Sequence, residues 1–162
     1  MRNTIEINIK NIEEITEKYN NNELSDDIAN YIFSHSMAIP VNQNPEINIR
    51  TNFELIEEEK NNIADMIHRH FGLEVQKSII ISTYKRNYQI LLFLIGLFLI
   101  TLSNLGFILE LSTIHELFLI FGWVAVWELI YDGLFTNYKE KIKRKRYKKL
   151  SNVKINFIKQ EV

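Results

Sequence analysis

The apolar positions along this chain follow three patterns. Between Thr4 and Lys10 they alternate, with Ile5, Ile7 and Ile9 on one side, as in a half-buried strand. Glu46 to Phe53 alternates likewise through Ile47, Ile49 and Phe53, and Val153 to Ile158 gives a third strand. Helical spacing governs the stretches between. Asn11 is placed to cap a short helix over Ile12 to Tyr19, which the run Asn20-Asn21-Asn22 ends as a polar turn. Ser25 reads as the N-cap of a second helix, with Asp26 and Asp27 in its first turn and Ile28, Tyr31, Ile32 and Phe33 as its apolar positions. Pro40 to Pro45 is a loop. Glu54 to Phe71 is helical, with Leu55, Ile56, Ile63, Met66, Ile67 and Phe71 on its apolar side. Gly72 is expected to interrupt that helix, and a further helix runs from Leu73 through Arg86.

The third pattern has no period. Tyr88 to Leu109 is 22 residues without a charge, and Leu117 to Phe135 is a second apolar run broken only by Glu128 and Asp132. A helix of 22 residues is roughly 33 Å long, against a bilayer hydrocarbon core of about 30 Å. Because a spanning segment must satisfy its own backbone, a two-helix transmembrane hairpin is the economical reading. A buried hairpin in a soluble protein is the alternative, and the rest of the chain is short for covering one.

Charge sharpens this picture. Residues 1–87 carry 9 Lys or Arg and 14 Asp or Glu, residues 88–138 carry no cation and four acids, and residues 139–162 carry 10 cations and two acids. The overall charge of -1 hides an acidic front, an apolar middle and a basic tail. Lys85 and Arg86 abut the first span and a basic run follows the second, so both termini are expected in the cytoplasm. Tyr84, Tyr88, Tyr131 and Tyr138 would form an aromatic belt at that interface. No apolar stretch precedes residue 88, so no signal peptide is expected. The expected fold is an α+β membrane protein with the hairpin inserted into a small cytoplasmic domain built from both ends of the chain. Its parts are a sensor-sized domain over 1–87, spans at 88–109 and 117–135, an extracytoplasmic loop at 110–116, and a basic helix with a strand over 136–162.

Few residues suggest chemistry. With no cysteine there is no disulfide and no thiolate metal site. His68 and His70 are two apart on a helix and point to different sides, so no metal is expected. No glycine-rich phosphate loop or Gly-flanked serine occurs, and neither catalysis nor a cofactor is expected. Inside the spans, Glu128 and Asp132 are four apart and share one side of the second helix, which Phe121 and Ala125 extend. A carboxylate in a span costs at least ~2.5 kcal/mol at the bilayer centre and usually faces a pore, a cavity or a partner. In an oligomer these side chains would make acidic rings in a cation pathway. Asp132 has a second reading, as the partner of Lys85 or Arg86; for Glu128 the nearest polar group on the first span is Gln89. Gly96, Ser103 and Gly106 form a small-residue stripe, either lining a pore or packing against the second helix, where Gly122 and Ala125 match it.

Lys139 to Lys149 has three readings: binding anionic lipid, contacting the acidic front domain, or holding a phosphate-bearing ligand. An anionic ligand would use Arg69, Lys77, Lys85, Arg86, or Lys143, Arg144 and Arg146 of the basic helix.

The stretch Gly122-Trp123-Val124-Ala125-Val126-Trp127, with His70-Phe71 upstream and a basic helix ending at Leu150, resembles a family of uncharacterised bacterial two-span membrane proteins. The chain departs from that pattern after the second Trp, carrying Leu129 and Tyr131 where the family commonly has a proline and an acid. The layout is also similar to membrane effectors of bacterial anti-phage systems such as Hailong. That resemblance implies an oligomeric channel in the bacterial inner membrane, here expected to be a tetramer, gated by a nucleotide or short oligonucleotide from a companion enzyme. The alternative is a membrane-anchored module that recruits a cytosolic partner without conducting ions.

Overall fold

A computed structural model describes residues 3–17, 20–105, 112–133 and 137–159. The elements run β1 (Thr4–Ile9), a 3-10 turn (Ile12–Glu14), β2 (Thr16–Glu17), β3 (Asn20–Leu24), α1 (Asp26–Met37), β4 (Glu46–Thr51), α2 (Glu57–Ser103), α3 (Ser112–Tyr131), α4 (Asn137–Leu150) and β5 (Lys154–Lys159). The chain is α+β, and two of its helices, α2 and α3, are long and apolar enough to cross a membrane. It divides into two compact units, Met1–Lys77 with Ile142–Val162, and Ser78–Lys141.

The first unit is built on a three-stranded parallel sheet of order β1-β4-β5. The alternating isoleucines dictate its register. Ile5, Ile47 and Ile155 lie side by side, as do Ile7, Ile49 and Phe157, so the apolar rows fall on one face. That face meets Ala29 and Ile32 of α1, Ile63, Met66, Ile67 and Phe71 of α2, and Tyr147 and Leu150 of α4 in one core. Fully burying each of these large side chains is worth about 1.5–3 kcal/mol. The other face is polar: Arg50 pairs with Glu6 at 3.0 Å, and the Asn156 amide donates to Asn48 at 3.0 Å. The C-terminal strand thus completes a sheet begun by the N-terminal ones.

Several expectations are corrected. Asn11 does cap, its side chain accepting from the Glu13 N–H at 3.3 Å, but only a 3-10 turn follows. Beyond that turn the predicted helix gives way to an antiparallel β2–β3 pairing, with the supposed Asn turn inside β3, while Lys18 and Tyr19 lie outside the described residues; β-branched Ile12, Ile15 and Thr16 are poor helix formers, and so short a helix lacks cooperative support. Ser25 stands at the N-cap position of α1, yet its hydroxyl makes no capping bond; the Glu17 carboxylate instead accepts from the Asp26 N–H at 3.4 Å. Tyr31 is largely exposed while Ala29 and Ser36 are buried, which rotates the inner side of α1 from the expected one. Gly72 does not interrupt its helix: α2 runs unbroken for 47 residues. A glycine there costs about 1 kcal/mol relative to alanine, too little to end a helix anchored by Met66, Ile67 and Phe71. Residues 112–116, expected as loop, already belong to α3. Gly106, Glu110 and the last residues of the second predicted span, 134–135, lie outside the described residues.

Candidate functional site

The second unit holds the charged and small residues that stood out in the apolar runs. Its two long helices touch through Gly96 of α2 and Gly122 and Ala125 of α3. A Cβ built on Gly96 would stand 2.8 Å from the Ala125 Cβ and 2.9 Å from the Gly122 carbonyl oxygen. One on Gly122 would stand 2.5 Å from Ile100 Cγ1 and 2.9 Å from the Gly96 carbonyl oxygen. The backbones approach this closely only because side chains are absent, as small-residue helix pairs in membranes do. Of the two readings left open for the small-residue stripe, Gly96 takes the helix-contact one. Ser103 follows it at the end of α2, fully buried, its hydroxyl donating to the Ile100 carbonyl at 2.7 Å. His115 of α3 bonds the Ser103 carbonyl oxygen at 2.8 Å.

At the other end of this seam lies a polar knot. Asp132 is buried, and Lys85 pairs with its carboxylate at 3.0 Å. The Gln89 amide, also buried, donates to the same carboxylate oxygen. The ion-pair reading of Asp132 therefore holds, with Lys85 as partner. Glu128 does not join it. It is exposed on the flank of α3, while Asp132 sits inside. The expectation that the two share a side fails because α2 covers only the stripe of α3 that carries Gly122 and Ala125: Asp132, two turns after Ala125, continues that stripe, and Glu128 lies beside it. Phe121 lies two turns before Glu128 on the exposed surface, whereas Ala125 is buried between the helices. The seven expected pathway residues thus separate into Gln89, Gly96, Ser103, Ala125 and Asp132 inside the hairpin and Phe121 and Glu128 outside it.

Around Glu128 the surface is apolar and aromatic. Val124, Trp127 and Tyr131 are 60%, 62% and 60% exposed. Among the described residues no cation pairs with Glu128.

The expected anion-binding cations are scattered and mostly engaged. Arg146 is buried and donates to the carbonyl oxygens of Ser36, Met37 (3.3 Å) and Ile39 (2.9 Å) at the C-terminal end of α1. It is a helix cap rather than an exposed ligand contact. Lys149 donates to the Gln43 carbonyl at 2.7 Å. Arg69 donates to the Asn22 carbonyl. Lys77 pairs with Glu74 at 2.7 Å, and that hydrogen-bonded carboxylate raises its ammonium above the ordinary 10.5. Lys143 lies 5.6 Å from the centre of the Tyr147 ring, Arg144 is half-buried, and Arg86 is exposed. His68 bonds the Val153 carbonyl oxygen at 2.9 Å and His70 packs edge-on to Phe71, so the two rings serve the fold. Among the described residues no group of three His, Asp or Glu stands close enough to hold a metal.

What the sequence did not reveal is a groove of about 1400 Å³ in the first unit. It is lined by residues of β1, the 3-10 turn, β2, α1 and α2, including Glu13, Glu14, Asp26, Asp27 and Glu59. These carboxylates read as scattered solvated charge along the chain, and only the packing of five elements assembles them.

No known protein family matches the chain, and neither the curated proteins nor the solved structures contain a match.

Proposed function

We propose that this chain is an oligomeric membrane effector that conducts cations, with Glu128 on the ion path and the α+β unit as the sensor. The observation that carries the reading is Glu128 itself. It is an exposed carboxylate on a 20-residue apolar helix, with no cation beside it among the described residues. A lone hairpin would leave that charge against hydrocarbon, whereas copies arranged around an axis would turn it into a water-filled path. The inverted distribution of residues in this unit supports membrane insertion, because apolar side chains face outward and polar ones face the seam. In this reading both termini lie in the cytoplasm, the membrane is the bacterial inner membrane, and the assembly is a tetramer. The likeness to Hailong-type effectors suggests a nucleotide or oligonucleotide signal and a role in anti-phage defence. Such an anion would meet Lys143 and the other exposed cations of α4 rather than the large groove, which is acidic.

The test is ion flux through purified protein in liposomes, with Glu128→Gln beside it. A cation flux whose selectivity or size changes in the variant is expected. Equal flux in both would remove Glu128 from the path.

A second reading, a membrane anchor that recruits a partner, is favoured by the inward placement of Gln89, Gly96, Ser103, Ala125 and Asp132. A hairpin so fully satisfied within itself needs no further copies to be stable. Absence of flux with and without nucleotide would select this reading.

A further inference from the structure

We propose that the α+β units of neighbouring copies join edge to edge, β5 of one copy adding to β1 of the next. The proposal rests on the oligomeric reading above and supplies its cytoplasmic contact. Among the described residues each outer strand of the sheet pairs with another strand along one edge only, since β1 pairs in the sheet only with β4 and so does β5. An edge strand presents free N–H and C=O groups and is a template for another strand.

The two edges are complementary. The groove described above is lined by Glu6, Ile7, Asn8 and Ile9, four consecutive residues of β1. Successive side chains of a strand point to opposite faces, so a hollow touched by all four runs along the strand's edge. Seven acidic side chains line it and no Lys or Arg does. Glu6 is already paired with Arg50, and the Tyr31 hydroxyl donates to the Glu6 carbonyl at 3.1 Å; among the described residues no Lys or Arg forms an ion pair with the other carboxylates of the groove, though Lys77 is near enough to feel the charge of Asp26. The β5 edge is basic and apolar. Lys154 and Lys159 bracket it, Lys154 unpaired among the described residues and Lys159 in an exposed pair with Glu54. Ile155 and Phe157 lie on the core face yet stay only half-buried, and Ile158, on the opposite face beside Arg50, is 40% exposed. A strand laid beside β5 would cover more of Ile155 and Phe157.

All three strands are parallel, so adding β5 to the β1 of the next copy continues the sheet without reversing direction. This contact is heterologous, one copy's edge meeting a different edge of its neighbour, and such contacts give a ring when the rotation between copies closes and an open filament when it does not. A ring is the symmetry that a central ion path requires.

The test uses the absence of cysteine from the chain. In the existing register Glu6, Asn48 and Asn156 form one row across the sheet. Within one chain, positions 6 and 156 are two strand spacings apart, about 9.5 Å, beyond the ~7 Å that a disulfide spans. The double variant E6C/N156C can therefore crosslink only between copies. T4C/N156C and N8C/N156C cover a slip of two residues either way. Native membranes are oxidised and the protein is run without reductant, after circular dichroism shows that each variant keeps the wild-type helix and strand content.

The expected result is a covalent ladder in one of the three pairs, ending at the ring size and absent from each single-cysteine variant. A dimer from N156C alone would mean that two β5 edges meet about a twofold axis, which overturns the proposal. So would monomers from all three folded pairs. Flux from the Glu128→Gln comparison is read separately: a ladder without conduction leaves this contact standing and removes the channel, whereas conduction without a ladder does the reverse.

Discussion

The two units of this protein bury opposite kinds of residue. In the first, the interior is Ile32, Ile47, Ile49, Ile63, Ile67, Phe71 and Leu150, each no more than 1% exposed. In the second, the buried positions are Gln89, Gly96, Ser103, Gly122, Ala125 and Asp132, while Leu91, Leu94, Phe98, Phe121, Trp123 and Trp127 are largely exposed. The first unit follows the rule for a protein in water, where removing apolar surface drives folding. The second does not, and its inversion is what the proposed membrane setting would favour, since hydrocarbon is as apolar as leucine and burying leucine gains nothing there. Close backbone contact and satisfied polar groups hold such a pair instead. The difference teaches that the solvent of a helix is written in what it buries, not only in how apolar it is.

Substitutions should break that comparison where the two rules differ most. Gly122→Leu should have the largest effect, because its side chain would meet the Gly96 backbone and Ile100 at distances already too short for a Cβ. The helices would separate, and protease accessibility of the hairpin in membranes would show it. In the first unit a leucine is the natural interior residue; the sensitive change there is Arg146→Met. It strips three α1-terminal carbonyls of a charged donor and should cost about 3 kcal/mol, read as a lowered midpoint of the strand signal in thermal circular dichroism. Asp132→Asn should be milder, of order 1–2 kcal/mol, since the amide still accepts from Gln89 while the Lys85 pair is weakened. A hairpin melt in detergent micelles would measure it, and no change would take the ion pair out of the account.

Smaller effects sharpen the boundary between the units. Nothing lies within 4 Å of a Cβ built on Gly72. Gly72→Ala should therefore stabilise the helix by up to about 1 kcal/mol, the intrinsic difference between the residues. A loss of stability would mean that α2 uses flexibility at this point. Least affected should be Lys77→Gln, because an exposed i,i+3 pair contributes little. The raised Lys77 pKa means the pair's contribution is present below 10.5 and fades as pH climbs through the raised value. Wild type and variant should thus melt within experimental scatter of each other at neutral pH and converge further above it.

The amino-acid sequence by itself determined the three strands of the main sheet, the two apolar helices and the division of charge. Those follow from periodicity and composition, which are local: Ile5, Ile7 and Ile9 can lie on one side only in an extended chain. The pairing of Asp132 was half legible, because Lys85 stands at the matching distance from the other span. Tertiary structure alone decided the rest. It turned Asp132 inward and left Glu128 outside, because the position of the neighbouring helix, not the spacing of the two acids, decides which stripe of α3 is covered. It spent Arg146 and Lys149 on carbonyl oxygens more than 100 positions away along the chain. It also gathered the acids of β1, the 3-10 turn, β2, α1 and α2 beside one strand edge. Contacts of that kind depend on which elements pack together, and no residue's neighbours in sequence carry that information.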